Sequence, residues 1–279
     1  MLWDSVSPYA FQADASRVDP GRSSSLFNLL WSKAILLTTP QAHSNNVYDH
    51  VRGVVGFPTG VATVPGARFD SIIGPGVDYT RNSTKERIEF SGREVLGNVD
   101  ITFIALLVQD DPNTGPLVMA TSSTNAGFRM GGTPGTPKFP TFTKGSVVDT
   151  TSTIQMLGGQ PVMIAASYNA ATNNVNFLVR HFLSGVIAVE TIASTGSAVN
   201  GNGIFSVGGA DFTVSTADAM IAGTYIGRLF LSLEEMRVLG NNPFGLWQTQ
   251  LSFPPSMSIA AGPGGAVPKT NRFLMHGVG

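Results

Sequence analysis

The chain has 279 residues with a net charge of −1, a balance that argues against the basic surface a nucleic-acid-binding protein needs. It contains no cysteine, which excludes a disulfide framework, a thiolate metal site and a cysteine nucleophile. The 32 glycines and 17 prolines are typical of short strands joined by tight turns. The length allows one large β-domain or two small ones, and a β-sandwich of this size commonly forms a single unit.

Residues 1–25 are predicted to form an extended N-terminal arm, because they are polar and show neither helical nor strand periodicity. Their large apolar residues are isolated: Trp3, Tyr9 and Phe11. The start has neither the basic region nor the apolar region of a secretory signal, and the longest apolar run, residues 101–108, is too short to cross a membrane. We therefore expect a soluble protein made in the cytoplasm, with no membrane partner.

The segment "LFNLLWSKAILL", residues 26–37, is the first dense apolar stretch, and its pattern fits a buried strand or a short helix equally well. Many short strand-like runs follow, separated by turn sequences such as "DDPNTG", "GTPGTP" and "NAATNN". No helical period lies between them and no fixed repeat is visible. This pattern predicts an all-β fold, a two-sheet antiparallel β-sandwich of the jelly-roll type over residues 26–248.

One short helix is predicted near the C-terminal end of the sandwich, at residues 232–239. Ser232 and Glu235 have the spacing of a capping box, in which each side chain satisfies a main-chain N–H of the first turn. Gly240 with Asn241 predicts a left-handed stop, and the helix is expected to cover the end of the sandwich.

Five stretches in this order resemble the laminin G-like, concanavalin A-like lectin and glucanase jelly-roll family: "RIEFSG", "GNVDITFIALLVQ", "QPVMIAASYNAATNNVNFLVRHFLSGV", "FSVGG" and "AGTYIGRLFLSLEEMRVLGNNPFGLW". The resemblance spans about residues 26–248 and implies a sandwich of that type. The closing "NPFGLWQ" is similar to the ending of such domains in bacteriophage proteins, where two aromatic residues clamp the helix onto the core. Here these residues are Phe244 and Trp247, which we expect to pack rather than to bind a ligand.

That resemblance implies a non-enzymatic structural protein of a bacteriophage virion, displayed on the head or tail as a decoration or fibre-type subunit. The alternative is a carbohydrate-binding module of a phage tail that recognises a host surface glycan. A glycoside hydrolase is a third and weaker hypothesis.

No catalytic, cofactor or metal residue is assigned from the sequence. A glycosidase on this sandwich needs carboxylates that alternate on one strand face, and Glu86, Glu89 and Glu94 do not alternate in that way. Asp110, Asp111 and Asn113 are the nearest candidates for a calcium site, but one turn supplies too few oxygen ligands. The four histidines are scattered, and His181 is expected at the surface.

Residues 249–279 are predicted to be an extended C-terminal arm, because they are rich in proline and glycine and lack periodicity. Apolar residues in such arms are expected to bind neighbouring chains, either other virion proteins or further copies of this chain in a multi-copy assembly. Alternatively, the arms fold back over the edges of their own sandwich. The predicted assembly anchors in the two arms are Trp3, Tyr9, Phe11, Phe253, Ile259, Phe273, Leu274 and Met275.

Deletion of residues 250–279 should leave the sandwich folded with little change in melting temperature, because the predicted core ends at Trp247. The same deletion should abolish incorporation into the assembled particle, since the C-terminal anchors are lost. Thermal denaturation and quantification of the subunit in purified particles check the two parts. A truncated protein that still assembles at full occupancy would show that the arm only covers a sheet edge.

Overall fold

The computed structural model describes residues 20–40, 46–59, 65–79, 86–110, 117–122, 126–135, 137–145, 147–197, 200–209 and 218–248. Residues 1–19 and 249–279 lie outside this part of the chain, and with them all eight predicted assembly anchors.

The described residues form three helices and seventeen strands. The helices are α1 (Pro20–Lys33), α2 (Leu233–Asn241) and α3 (Gly245–Gln248). The strands are β1 (Ala34–Pro40), β2 (Val47–Asp49), β3 (Val54–Val55), β4 (Phe57–Thr59), β5 (Gly66–Asp70), β6 (Gly74–Tyr79), β7 (Arg87–Phe90), β8 (Ile101–Gln109), β9 (Leu117–Ala120), β10 (Phe128–Gly132), β11 (Pro140–Lys144), β12 (Val147–Thr151), β13 (Pro161–Asn169), β14 (Asn174–His181), β15 (Ile187–Ala193), β16 (Phe205–Val207) and β17 (Ala219–Gly227).

The strands form two antiparallel sheets. The ten-stranded sheet has the order β15-β14-β13-β8-β17-β1-β2-β3, with β6 also paired to β17 and β5 paired to β6. The seven-stranded sheet has the order β12-β11-β10-β9-β16-β7-β4. The predicted all-β, two-sheet antiparallel sandwich is confirmed.

The main core lies between the two sheets. Phe103 of the ten-stranded sheet contacts Phe142 of the seven-stranded sheet, with ring centroids 6.2 Å apart. Tyr168 stacks on Phe142 at 5.6 Å, and both side chains are buried. Large aromatic side chains from both inner faces therefore interdigitate and hold the sheets together.

A second apolar cluster covers the other face of the ten-stranded sheet. Leu30 of α1, Met236 of α2 and Leu246 of α3 pack there against the alternate side chains of β8, including Ile104 and Leu106. Because β8 is covered on both faces, all nine of its residues are buried. This double burial explains the continuous apolar run "ITFIALLVQ", which a half-exposed strand would not need.

The prediction of a single short helix is wrong for the described residues, because α1 and α3 are present in addition to α2. The apolar stretch at residues 26–37 contains both elements that its pattern allowed, since α1 ends at Lys33 and β1 begins at Ala34. Helix α1 begins at Pro20 and so occupies residues 20–25 of the predicted N-terminal arm. Packing of Phe27 and Leu30 into the second cluster stabilises this helix.

The predicted capping box of α2 is confirmed. Ser232 Oγ accepts a hydrogen bond from the main-chain N–H of Glu235, and Glu235 Oε2 accepts one from the N–H of Ser232. The predicted left-handed stop is wrong: Gly240 belongs to the helix, and a Cβ there would lie 2.8 Å from Ile187 Cγ2. Glycine thus allows α2 to approach the face of the ten-stranded sheet, which the helix covers instead of the end of the sandwich.

Replacing Ser232 with alanine should lower the free energy of unfolding by about 1 kcal/mol, because a main-chain donor of the first helical turn loses its acceptor. Urea denaturation measures the change. The control is Thr172→Ala in an exposed hairpin, which should change stability by less than about 0.5 kcal/mol. Equal stabilities of the two variants would contradict the capping role of Ser232.

Candidate functional site

The chain passes from one sheet to the other at Gly56, between β3 and β4. These two short strands are the last in their respective sheet orders, so together they form one side of the sandwich. A Cβ at position 56 would lie 2.4 Å from Ile88 Cγ2, which explains why glycine occupies the crossing point. We call residues 49–59 the crossover edge.

A buried ion pair anchors the start of the crossover edge. Arg93 Nη2 donates to Asp49 Oδ2 over 2.6 Å, and the two side chains are 2% and 0% exposed. The other carboxylate oxygen of Asp49 accepts hydrogen bonds from the main-chain N–H groups of Leu37 at 3.2 Å and Val51 at 3.0 Å. One carboxylate therefore connects β1, the turn after β2 and the segment that follows β7.

Burial lowers the pKa of Arg93, although the nearby charge of Asp49 acts in the opposite direction. The positive charge of Arg52 lowers it further, which means that the two guanidinium groups lie close enough to repel each other. Arg52 itself is exposed, and its Nη1 donates to the main-chain oxygen of Gly92.

A cleft of about 200 Å³ opens beside this ion pair and is lined by Ala34, Ile35, Val51, Arg52, Arg93, Glu94 and Phe205. Its wall is partly aliphatic. Its charged groups include Glu94, which forms a half-exposed ion pair with Arg228 at 2.9 Å. The cleft therefore combines an apolar wall with one carboxylate and two guanidinium groups.

The outer face of the seven-stranded sheet begins at the same edge with Phe57. Ile88 and Phe90 point into the core, so the alternate residues Arg87 and Glu89 lie on the outer face. Phe57 is directly opposite Glu89 in the register and is 71% exposed. Arg87 Nε donates to Glu89 Oε1 over 2.6 Å, so an exposed aromatic ring lies beside a guanidinium and carboxylate pair.

Residues that lie opposite one another on neighbouring strands form a row across this face. After Phe57 and Glu89 the row contains Ser206, Ala120, Arg129 and Thr143. Ser206 is fully buried, and its Oγ has no hydrogen-bond partner among the described residues. Burial lowers the pKa of Arg129 to about 10. The outer face thus carries buried polar groups next to an exposed aromatic residue.

The structure separates the carboxylates that the sequence analysis considered. Glu89 is paired with Arg87 and Glu94 with Arg228. Glu86 is buried, and its charge together with burial raises the pKa of Tyr79. These groups therefore occupy different environments instead of sharing one strand face.

The candidate calcium ligand Asp110 is bound by Arg68, which donates from Nη2 to Asp110 Oδ1 at 3.0 Å and from Nη1 to Oδ2. Asp111 and Asn113 lie outside the described residues. Within the described ranges, no three His, Cys, Asp or Glu side chains group to hold a metal ion. The same ranges contain no helix both long and apolar enough to span a bilayer.

The expectation that His181 lies at the surface is wrong. It is 7% exposed, and its Nε2 is 3.0 Å from the main-chain oxygen of Gln155. The last residue of β14 therefore packs beneath the loop that precedes β13, an arrangement that local sequence does not predict.

Sequence reasoning missed both Phe57 and Arg52. The segment "VRGVVGF", residues 51–57, has the composition of a single strand, whereas the structure has a turn over residues 51–53 and then two strands in different sheets. The available signal was Pro58, since proline within a strand marks an edge position and its neighbours are then exposed on one side.

No protein-family model matches the chain, and no curated protein matches it in sequence. Several solved structures are similar in fold. Domain 4 of AbnA, an extracellular arabinanase of Geobacillus stearothermophilus solved with arabinotriose, has a TM-score of 0.52 and 13% identity, over 75% of this chain and 98% of that chain. Botulinum neurotoxin type C, whose uptake into cells depends upon interaction with two ganglioside molecules, has a TM-score of 0.53 and 12% identity, over 77% of this chain and 52% of that chain.

Tailspike protein 2 of bacteriophage CBA120 has a TM-score of 0.48 and 17% identity, over 66% of this chain and 30% of that chain. That score is too low to support an argument. The two higher scores, at low identity, show a shared β-sandwich fold and nothing finer. Membership of the laminin G-like family therefore stays a prediction.

Replacing Asp49 with alanine should lower the free energy of unfolding by about 3–5 kcal/mol, because Arg93 would stay buried without its counter-ion. The control is Glu234→Ala, which removes a pair with Arg237 whose side chains are 68% and 53% exposed, and it should cost less than about 1 kcal/mol. Denaturant unfolding of both variants tests the difference. A loss below about 1 kcal/mol for Asp49→Ala would contradict the anchoring role of the ion pair.

Proposed function

We propose that this domain binds carbohydrate without turning it over, with Phe57 as the platform for a sugar ring. The observation that carries the proposal is the 71% exposed ring of Phe57, directly opposite a Glu89 carboxylate that is paired with Arg87. A pyranose ring has an apolar face of C–H groups and a rim of hydroxyl groups. The aromatic face of Phe57 matches the C–H groups, and the Glu89 carboxylate, whose side chain is 16% exposed, can accept a hydrogen bond from a hydroxyl group, while the buried Arg87 holds that carboxylate.

The position of the platform supports binding. Phe57 lies on an edge strand of a rigid sheet, so its backbone is fixed by pairing with β7. Glu89 is held by Arg87 at 2.6 Å and therefore presents its remaining acceptor positions in a defined direction. Such preorganisation reduces the conformational entropy lost when a ligand binds.

The structural comparisons agree with this proposal. One similar domain was solved with arabinotriose, and one similar protein depends upon two ganglioside molecules. Because their identity to this chain is only 13% and 12%, they support the use of this fold for sugar recognition and do not identify a ligand here.

Binding without turnover is proposed because the carboxylates near the platform are already engaged. Glu89 and Glu94 each form an ion pair with an arginine, whereas a glycosidase needs two carboxyl groups about 5–10 Å apart with one kept protonated. The role as a virion subunit stays a prediction, because it depends on the resemblance of the "NPFGLWQ" ending and on arms outside the described residues.

Phe57→Ala should weaken glycan binding about tenfold to thirtyfold. A sugar ring that covers half of the Phe57 ring removes about 70 Å² of apolar surface from water, worth about 2 kcal/mol. A glycan array identifies the ligand, and calorimetry with that ligand measures the loss.

The matched control is Phe69→Ala, which removes another exposed phenylalanine from the ten-stranded sheet. Its affinity should equal that of the unmodified protein. Absence of saturable binding to any glycan, or equal affinity of the Phe57→Ala variant and the unmodified protein, would refute the proposed function.

A further inference from the structure

The cleft at the crossover edge has an excess of positive charge. Arg93 is paired with Asp49, and Glu94 at the rim is paired with Arg228. Arg52 forms a hydrogen bond with a main-chain oxygen, and no described carboxylate forms an ion pair with it. Three guanidinium groups against two carboxylates leave one positive charge at the mouth of the cleft.

The hydrogen-bonding groups of Arg93 are incompletely satisfied inside the wall. Its Nε is buried and has no hydrogen-bond partner among the described residues. Burial is the main cause of the lowered pKa of Arg93, and the positive charge of the nearby Arg52 lowers it further, so the two groups repel each other. A single negative charge near Arg52 would offset this repulsion and would be attracted by both guanidinium groups.

The size and the wall of the cleft limit the ligand. A volume of about 200 Å³ is smaller than the ~300–1,000 Å³ typical of sites for drug-sized molecules, so it suits one sugar residue. Ile35 and Val51 offer an apolar surface to C–H groups, and Glu94 offers an acceptor to a hydroxyl group. The carboxylate of Glu94 also disfavours a dianion such as phosphate, because like charges repel.

The cleft and the platform lie on consecutive parts of one edge. Phe57 is five positions after Arg52, and five residue steps of extended chain span at most ~18 Å. Two or three linked sugar residues cover a comparable distance. One glycan is therefore long enough to reach from the cleft, where its acidic residue would lie, to the platform.

We propose that this cleft binds the carboxylate-bearing residue of an acidic glycan. Arg52 donates hydrogen bonds to the carboxylate, and the positive charge of the buried Arg93 adds to the attraction. The proposal deepens the proposed function, on which it rests, since it assigns the class of glycan. It makes the protein selective for acidic over neutral sugars, because a neutral sugar leaves the charge at the mouth uncompensated.

The test uses the full-length protein, titrated with glucuronic acid, with glucose and with inorganic phosphate while amide NMR shifts are recorded. Glucuronic acid should bind more tightly than glucose by at least tenfold, with shift changes at residues 34–35, 51–52 and 93–94. Raising the salt from 50 to 300 mM should weaken this binding, since the attraction is electrostatic. Equal affinity for glucose and glucuronic acid, or equal affinity for phosphate at the same amides, would overturn the proposal.

Arg52→Gln should reduce the affinity for glucuronic acid at least tenfold, and Arg52→Lys should retain part of it, because lysine keeps the charge without the planar fork. The control Arg237→Gln makes the same change of charge on α2 and should leave the affinity unchanged. An unchanged affinity in a folded Arg52→Gln variant would refute the assignment.

Phe57→Ala separates the two proposals. This substitution should remove the aromatic platform and leave the cleft residues unchanged, so glucuronic acid should still bind in the cleft. If array glycans bind through Phe57 but glucuronic acid does not bind, the acidic cleft is wrong and the proposed function stands. If glucuronic acid binds through Arg52 but no glycan depends on Phe57, the platform is wrong and the cleft stands.

Discussion

The ion pair between Asp49 and Arg93 is the constraint on which the crossover edge depends. Both charges are out of contact with water, so each needs the other and neither can move away without a large loss of free energy. Asp49 also accepts two main-chain hydrogen bonds, which hold the turn after β2 against β1. Because replacing such a pair by apolar residues is often neutral or stabilising, we infer that the pair determines position and charge rather than net stability.

The parts of the fold that could be predicted are those determined by residues close together in the sequence. The apolar run of β8 predicts a strand, and the spacing of Ser232 and Glu235 predicts the start of α2. A helix within residues 26–37 was predicted only as one of two alternatives, and residues 20–25 were assigned to the arm, because the stability of α1 comes from packing Phe27 and Leu30 against a sheet whose strands are distant in sequence. The end of α2 was also missed, since Gly240 is required by contact with Ile187 and not by a turn.

The sequence indicates which types of residue a sugar-binding site needs, but it does not indicate where in the fold they come together. A sugar-binding site needs an exposed aromatic residue with polar or charged neighbours, but the location of such a residue depends on which strands pair. Phe57 faces Glu89 across 32 positions, and Asp49 meets Arg93 across 44, so neither pair is visible from sequence spacing. The switch of sheets at Gly56 decides both, and it is a property of the whole sandwich.

We propose that the crossover edge binds sugar through Phe57 and Arg52. A crystal structure of the protein with the strongest acidic glycan from an array tests it most directly. We expect a sugar ring stacked on Phe57 and a carboxylate within hydrogen-bond distance of the Arg52 guanidinium. A glycan bound elsewhere on the molecule, with both side chains free of contact, would contradict it.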